Sequence, residues 1–424
     1  MEFVSETVVG ERLTALPGDE PRVVVAGNFA VPHELVRILD GCRPRVRAFS
    51  LNIQAGWPRR DGFVTETPFV GPGVRGDPAA EYLPMRLSLV PRLFGSSRPP
   101  DAVLLHTSPP RQGVVSLGIE VNLLPAAIEE VTARGGLVVA QVNPHMPFTR
   151  GDGLVDVDRI DLALEVDAPL PSPVPRPPDP LCAAIGERVA GYATDGGTVQ
   201  LGIGQIPDAA AGALEGMQGL GVWSEMVSDG VLGLDRAGAL DPDRPVCASF
   251  LFGSPDLYAW ADDNPRLVMR RTEVINDPAV IAGQPALLSV NTALQVDLYD
   301  QANASYVGAR LYSGFGGQPD FVSGALHSPG GQAIVALRSW HDRSDSSTIV
   351  SRLAEPATSY QHSVIVTEHG AAEVFGRSDV EQAHLLIERA ADPRARADLR
   401  DAAARAGLAA PGARPVPAVP MARG

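Results

Sequence analysis

The twelve residues Pro169-Leu-Pro-Ser-Pro-Val-Pro-Arg-Pro-Pro-Asp-Pro180 contain seven prolines. Proline lacks a backbone N–H and fixes φ, so this stretch can join neither a helix interior nor a central strand and favours an extended spacer. The chain therefore divides into an N-terminal unit over residues 1–178, which ends in this linker, and a longer C-terminal unit over 179–408. Residues 409–424, rich in Ala, Pro and Gly without a periodic apolar face, are expected to form a flexible tail.

The two units open alike. Val23-Val-Val-Ala-Gly-Asn-Phe-Ala-Val-Pro32 reads as strand, glycine turn and a proline that starts a helix, and Val199-Gln-Leu-Gly-Ile-Gly-Gln-Ile-Pro207 repeats the pattern. Gln112–Gly118 has a similar counterpart in Gln301–Gly308. Apolar runs at Ala102–Leu105, Gly136–Ala140, Ala333–Leu337 and Ser363–Thr367 alternate with helical patterns, as buried parallel strands do. The expected fold class is α/β, with two tandem, related open domains and mainly parallel sheets. In such sheets ligands lie beyond the carboxyl ends of the strands, which is where chemistry is sought.

Composition removes several functions. A net charge of −15 disfavours nucleic acid and anionic membranes as partners, and no uncharged apolar run is long enough to span a bilayer. The acidic start, Met-Glu-Phe-Val-Ser-Glu, is unlike a signal peptide, so a cytoplasmic location is expected. The three cysteines, Cys42, Cys182 and Cys247, are too dispersed for a disulfide framework or a paired metal site, and the eight histidines lack ligand spacing. No bound metal and no tightly bound cofactor are expected. All 35 basic residues are arginine, which excludes a Walker lysine, a pyridoxal Schiff base and any lysine base.

Gly202-Ile-Gly204 follows a strand and precedes a helix, where unpaired N–H groups favour an anion; a plain tight turn fits it equally well. Ser313-Gly-Phe-Gly-Gly-Gln318 is more specific, because glycines let backbone N–H groups approach a carbonyl oxygen as an oxyanion hole. Val364-Ile-Val-Thr-Glu-His-Gly370 sets Glu368 and His369 where a strand becomes a turn.

Taken in order, these segments resemble the acetyl-CoA hydrolase/transferase family, which includes acetate and 4-hydroxybutyrate CoA-transferases. The likeness rests on Leu288-Ser-Val-Asn-Thr-Ala-Leu-Gln-Val-Asp-Leu298, Tyr312-Ser-Gly-Phe-Gly-Gly-Gln-Pro-Asp-Phe321, Val366-Thr-Glu-His-Gly370, Trp223-Ser-Glu-Met-Val-Ser-Asp-Gly230 and Arg271-Thr-Glu-Val-Ile-Asn-Asp-Pro278. It implies a CoA-transferase-type fold, a homodimer, and coenzyme A present only as part of an acyl-CoA substrate. Gly314, Gly316, Gly317, Gln318, Gly202, Gly204 and Asn291 become candidates for oxyanion or acyl-CoA binding.

The resemblance also sets Gln295 where a catalytic glutamate is expected, and an amide is too weak a nucleophile for that role. The reading that follows is a divergent enzyme acting on an acyl-CoA or related thioester without a glutamyl-CoA intermediate. It would transfer the acyl group to a small-molecule acceptor or to water, with Glu368, His369 or His341 activating the nucleophile. Two alternatives stand beside it: an ordinary acyl-CoA:carboxylate CoA-transferase carrying a Glu-to-Gln trapping substitution, and a non-catalytic acyl-CoA-binding protein. Arg338-Ser-Trp-His-Asp-Arg343 and Asp300 depart from the family pattern, which points to an altered substrate.

Overall fold

The computed structural model describes residues 1–174, 176–357 and 359–409, so most of the expected tail lies outside the described residues. Two large sheets organise the chain. The first runs in the order Glu2–Phe3, Leu162–Glu165, Leu137–Val142, Ala102–Thr107, Arg22–Val25, Val46–Phe49, Phe63–Thr67, Ala80–Tyr82. Every pairing in it is parallel. The second runs Gly370–Glu373, Val364–Thr367, Gln332–Ala336, Leu287–Asn291, Thr198–Leu201, Gly221–Trp223, Val246–Ala248, Leu267–Met269, Arg150–Gly151. Only the edge strand Gly370–Glu373 is antiparallel.

The mainly parallel α/β architecture thus agrees with the reading of apolar runs. Ala102–Thr107 and Leu137–Val142 are buried at every position, as strands covered on both faces must be. Side-chain alternation then divides them between two cores: Val24, Val103, Leu105 and Val138 enter one cluster, whereas Val23, Val25, Leu104 and Val139 enter another. The first cluster also takes Val199, Leu201, Val222 and Val290 from the second sheet, so one continuous core joins the two halves. Each fully buried Val or Leu there stabilises the fold by about 1.5–3 kcal/mol.

Two details differ from the sequence pattern. Arg150–Gly151 precedes the proline segment yet pairs with Val268 and Met269 of the second sheet. The helix-opening prolines also sit unequally: Pro32 is the N-cap of helix His33–Cys42 after a short 3₁₀ turn, whereas Pro207 is the third residue of helix Gln205–Ala213. At the end of the proline segment Asp179 caps helix Pro180–Ala190 by accepting from the Cys182 N–H at 3.0 Å, with Pro180 at the first helical position. The three cysteines are free thiols.

Candidate active site

Both sheets direct their carboxyl ends at one cavity of ≈ 210 Å³. Asn28, Asn52 and Phe69 reach it from loops after strands of the first sheet; Gly202, Glu225, Phe250 and Asn291 reach it from strand ends of the second. Among the described residues that line it, Glu225 is the single ionisable side chain. Its surroundings therefore set the electrostatics of the whole space.

Glu225 stands in the break between strands Gly221–Trp223 and Met226–Val227. Its carbonyl is fixed by the Ser249 and Phe250 N–H groups at 2.8 and 3.1 Å, so the backbone is held while the partly buried side chain faces the cavity. One neutral donor reaches the carboxylate, the Asn276 amide at 3.0 Å from Oε2. Burial pushes the carboxyl up to about 7; the Asn276 bond opposes this, and nearby Asp320 adds to it. A carboxylate without a cation and with one amide donor is weakly solvated, the condition that leaves an oxygen nucleophile reactive.

The glycine loop closes over it. A Cβ on Gly317 would lie 1.8 Å from Glu225 Oε2 and 2.3 Å from Asn276 Nδ2, so glycine is required by this close approach. The Gly316 and Gly317 N–H groups donate to no protein acceptor among the described residues, and the buried Gln318 Nε2 also lacks a partner. Gly316, at φ 54°, packs against the Phe69 ring, which presses the loop on the first half of the chain. Behind it, buried Asp320 accepts from the Ser88 N–H and hydroxyl at 3.1 and 2.9 Å, and burial pushes its carboxyl up to about 6. The result is unpaired donors beside a poised carboxylate, the arrangement that acyl transfer through an oxyanion requires.

The first half supplies a neutral polar wall. Buried Glu120 accepts from Asn28 Nδ2 at 2.6 Å and Asn122 Nδ2 at 2.9 Å, and Asn52 Nδ2 donates to Asn28 Oδ1 at 2.7 Å. Burial, with a smaller push from nearby Glu225, raises Glu120 to about 7 against those amide bonds.

Of the sequence-predicted residues, Gly202, Asn291, Gly314, Gly316, Gly317 and Gln318 line the cavity, and Gly204 does not. Asn291 Nδ2 donates to Ser289 Oγ at 3.0 Å and Gln200 Oε1 at 3.3 Å, within one buried network. Gln295, Glu368, His369 and His341 are not among the lining residues. The reason is topological. The strand Leu287–Asn291 ends at the cavity, after which the chain turns away and Gln295 pairs with Asn303 in a small three-stranded side sheet. Glu368 does lie at a strand end, but its carboxylate accepts from the Ser339 N–H at 3.0 Å and from the Ser339 hydroxyl at 2.6 Å. His369 Nε2 lies 3.6 Å from Asp392, whose carboxylate is paired with Arg394 at 2.9 Å. The ligand-type atoms of Glu368, His369 and Asp392 converge within 4.8 Å, in a cluster already occupied by Ser339 and Arg394.

His341 stands in the hairpin Trp340–His341/Ser346–Ser347 and bonds Ser344, while Arg394 covers Trp340 at 3.8 Å. Asp300 pairs with buried His362 at 2.7 Å, and Arg338 pairs with Asp179. The departures from the family pattern thus belong to structural clusters outside the cavity lining. The residues not singled out from the sequence are Glu225 and Asn276, whose segments Trp223–Gly230 and Arg271–Pro278 carried the resemblance, together with Glu120, Asn28, Asn52 and Asn122. Glu225 carried a readable signal, since it stands in the turn just past a strand end, the placement that singled out Glu368.

Comparison with known proteins bears on the fold and the family. The model of the acetyl-CoA hydrolase/transferase C-terminal domain matches residues 253–403. The chain is 33% identical over 396 residues to a succinyl-CoA:acetate/propanoyl-CoA:succinate CoA transferase of Fasciola hepatica, covering 87% of this chain and 82% of that protein. It is 36% identical over 320 residues to a 4-hydroxybutyrate coenzyme A transferase of Clostridium kluyveri, covering 73% and 74%. Among solved structures, a 4-hydroxybutyrate CoA-transferase from Porphyromonas gingivalis superposes with a TM-score of 0.78 at 28% identity, over 96% of this chain and 98% of that one. RipA from Yersinia pestis shares the fold at a TM-score of 0.86, with 24% identity over the same shares. The chain belongs to the acetyl-CoA hydrolase/transferase family of acyl-CoA enzymes.

Proposed function

We propose that the protein is an acyl-CoA:carboxylate CoA-transferase whose nucleophile is Glu225. A Glu225 oxygen attacks the thioester carbonyl, and the Gly316 and Gly317 N–H groups receive the oxyanion. Collapse expels the CoA thiolate and leaves an acyl-glutamyl anhydride. The thiolate then attacks the glutamyl carbonyl, which releases the first acid and leaves a glutamyl-CoA thioester. An acceptor carboxylate reverses these steps with its own acyl group. Each attack conserves charge, because an anion enters and an anion leaves.

One observation carries this reading: the cavity holds one ionisable side chain, and it is a weakly solvated carboxylate against unpaired glycine N–H groups. Gln295 then needs no catalytic role, and neither a trapping substitution nor a nucleophile drawn from Glu368, His369 or His341 is required. Water as acceptor would give hydrolysis at the same site, and acetyl-CoA hydrolases stand among the relatives.

The test is to incubate the protein with acyl-CoA alone, digest it and map added mass. CoA joined to the peptide containing Glu225, together with CoA transfer to added acetate, is the expected result. Turnover that persists in Glu225→Gln would overturn the assignment, and thiol release without an acceptor would mark hydrolysis. The same reading carries a homodimer, to be measured by light scattering, and a cytoplasmic location, to be measured by fractionation. No helix among the described residues is long and apolar enough to cross a membrane.

A further inference from the structure

The cavity wall supplied by the first half of the chain is chemically distinct from the carboxylate and glycine N–H groups of the reacting centre. Three of its residues, Asn28, Asn52 and Asn122, hold φ values of 48°, 44° and 32°. Left-handed backbone is unusual for side-chain-bearing residues, and its convergence on one cavity needs a cause that over-determines it. The cause is Glu120, 2% exposed, whose two carboxylate oxygens each accept one amide N–H, from Asn28 and from Asn122. Asn52 is tied in through Asn28, and Thr272 Oγ1 donates to Asn122 Oδ1 at 3.3 Å.

Counting donors shows what remains. Each amide nitrogen carries two N–H groups, and each of the three spends one inside this network, so one per asparagine is left. Asn52 Oδ1 receives no donor from the described residues. The wall therefore offers neutral donors and one neutral acceptor, set among the apolar Leu51, Phe69, Leu87 and Phe250. No arginine or histidine is among the described residues lining the cavity, and the charges that face it, Glu225 with Glu120 and Asp320 behind, are all carboxylates.

We propose that Asn28, Asn52 and Asn122, pinned by Glu120, form a specificity-determining subsite that selects an acyl group bearing an uncharged oxygen, a hydroxyl or keto group. This rests on Glu225 as the acyl-accepting residue, since it fixes which end of the cavity holds the thioester. A plain alkyl chain leaves the amide N–H groups unpaired after displacing their water, which a site built for hydrogen bonding rejects strongly. A second carboxylate brings a negative charge into a space that holds carboxylates and, among the described residues lining it, no cation.

The test compares kcat/KM for three four-carbon probes, 4-hydroxybutyryl-CoA, butyryl-CoA and succinyl-CoA, with acetate as acceptor, in the full chain and in Asn52→Gly. Glycine tolerates the backbone conformation at 52 and leaves the Glu120 bonds in place, so folding, checked by thermal melting, is preserved. The expected result is a preference of about tenfold or more for the hydroxyacyl probe over each of the others, falling towards unity against butyryl-CoA in the variant. Equal rates for hydroxybutyryl and butyryl probes, a preference for succinyl-CoA, or a ratio that Asn52→Gly leaves unchanged would each overturn the subsite. The mass-mapping experiment separates the two readings. CoA on the Glu225 peptide with a flat probe series sinks the subsite alone, whereas no turnover of any probe and no CoA on that peptide sinks both.

Discussion

Glu225 and Glu368 both follow a strand of the second sheet, yet their surroundings are opposite. Glu225 has one amide donor, no cation and two glycine N–H groups at hand. Glu368 accepts from the Ser339 backbone and hydroxyl and lies beside His369 and the Arg394-paired Asp392. A well-paired carboxylate contributes to stability and is a poor nucleophile, because attack must first break its bonds. An under-paired one costs stability and keeps its lone pairs available. Position at a strand end is shared by both, so on the proposed assignment it is partner count that separates reactive from structural.

The sharpest way to break this contrast is to neutralise each member. Glu225→Gln should lower kcat by about 10³-fold or more, the usual scale for removing a covalent nucleophile, while Glu368→Gln should stay within about tenfold. Comparable losses in both would end the distinction. Gly317→Ala comes next. Its methyl would overlap Glu225 Oε2, so a loss of about 10²-fold is expected, the magnitude seen when an oxyanion donor is displaced. Near-normal turnover there would show that the loop moves away from Glu225 during reaction.

Acidity sharpens the comparison further. With its carboxyl pushed up to about 7, Glu225 is the protonated, inactive acid at low pH, so kcat/KM should rise as pH increases through about 7. Glu120 is also held near 7 and is coupled to Glu225, so the pair titrates jointly. Removing that negative charge in Glu120→Gln should move the acid limb of the profile to lower pH. An unmoved limb would show that the two carboxyls do not interact.

Stability should move oppositely to activity. Glu120, Glu225 and Asp320 all have folded-state values above the ordinary 4.5 or 3.8, so the native state holds more protons than the unfolded chain between there and about 7. Their contribution is present at low pH and is lost as pH rises through that window. Glu225→Gln should therefore melt higher than the parent at pH 8, by on the order of 1 kcal/mol after allowance for its partial exposure. It should show little advantage at pH 5, and equal melting at both would remove the stability cost assigned to this carboxylate.

The fold was legible because its signals are local. Fully apolar runs such as Ala102–Leu105 cannot be half-exposed strands, and seven prolines in twelve residues keep that stretch out of a helix interior or a central strand. The glycine loop was legible for the same reason, since Ser313–Gln318 states its backbone needs in its own letters. The proposed nucleophile was harder because nothing local distinguishes Glu225 from Gln295 or Glu368. The difference lies in partners far along the chain, Asn276 and Gly317 against Asn303 and Ser339. The Glu120 network was hidden likewise, with Asn28 bonded across 92 residues.

Gln295 supplies the smallest expected effect and the most direct check of this account. Its neighbour Val296 is fully buried in the core beside Val335 and Ile349, while Gln295 is partly exposed and pairs through the backbone with Asn303. A change at residue 295 should therefore leave backbone pairing intact and touch the cavity only through the loop that leaves Asn291. Gln295→Glu and Gln295→Ala should each alter kcat/KM by less than about threefold and melting by less than about 0.5 kcal/mol, as substitutions away from special features do. A large gain of CoA transfer in Gln295→Glu, with CoA mapped to residue 295, would return the nucleophile to the side sheet and remove Glu225 from the mechanism.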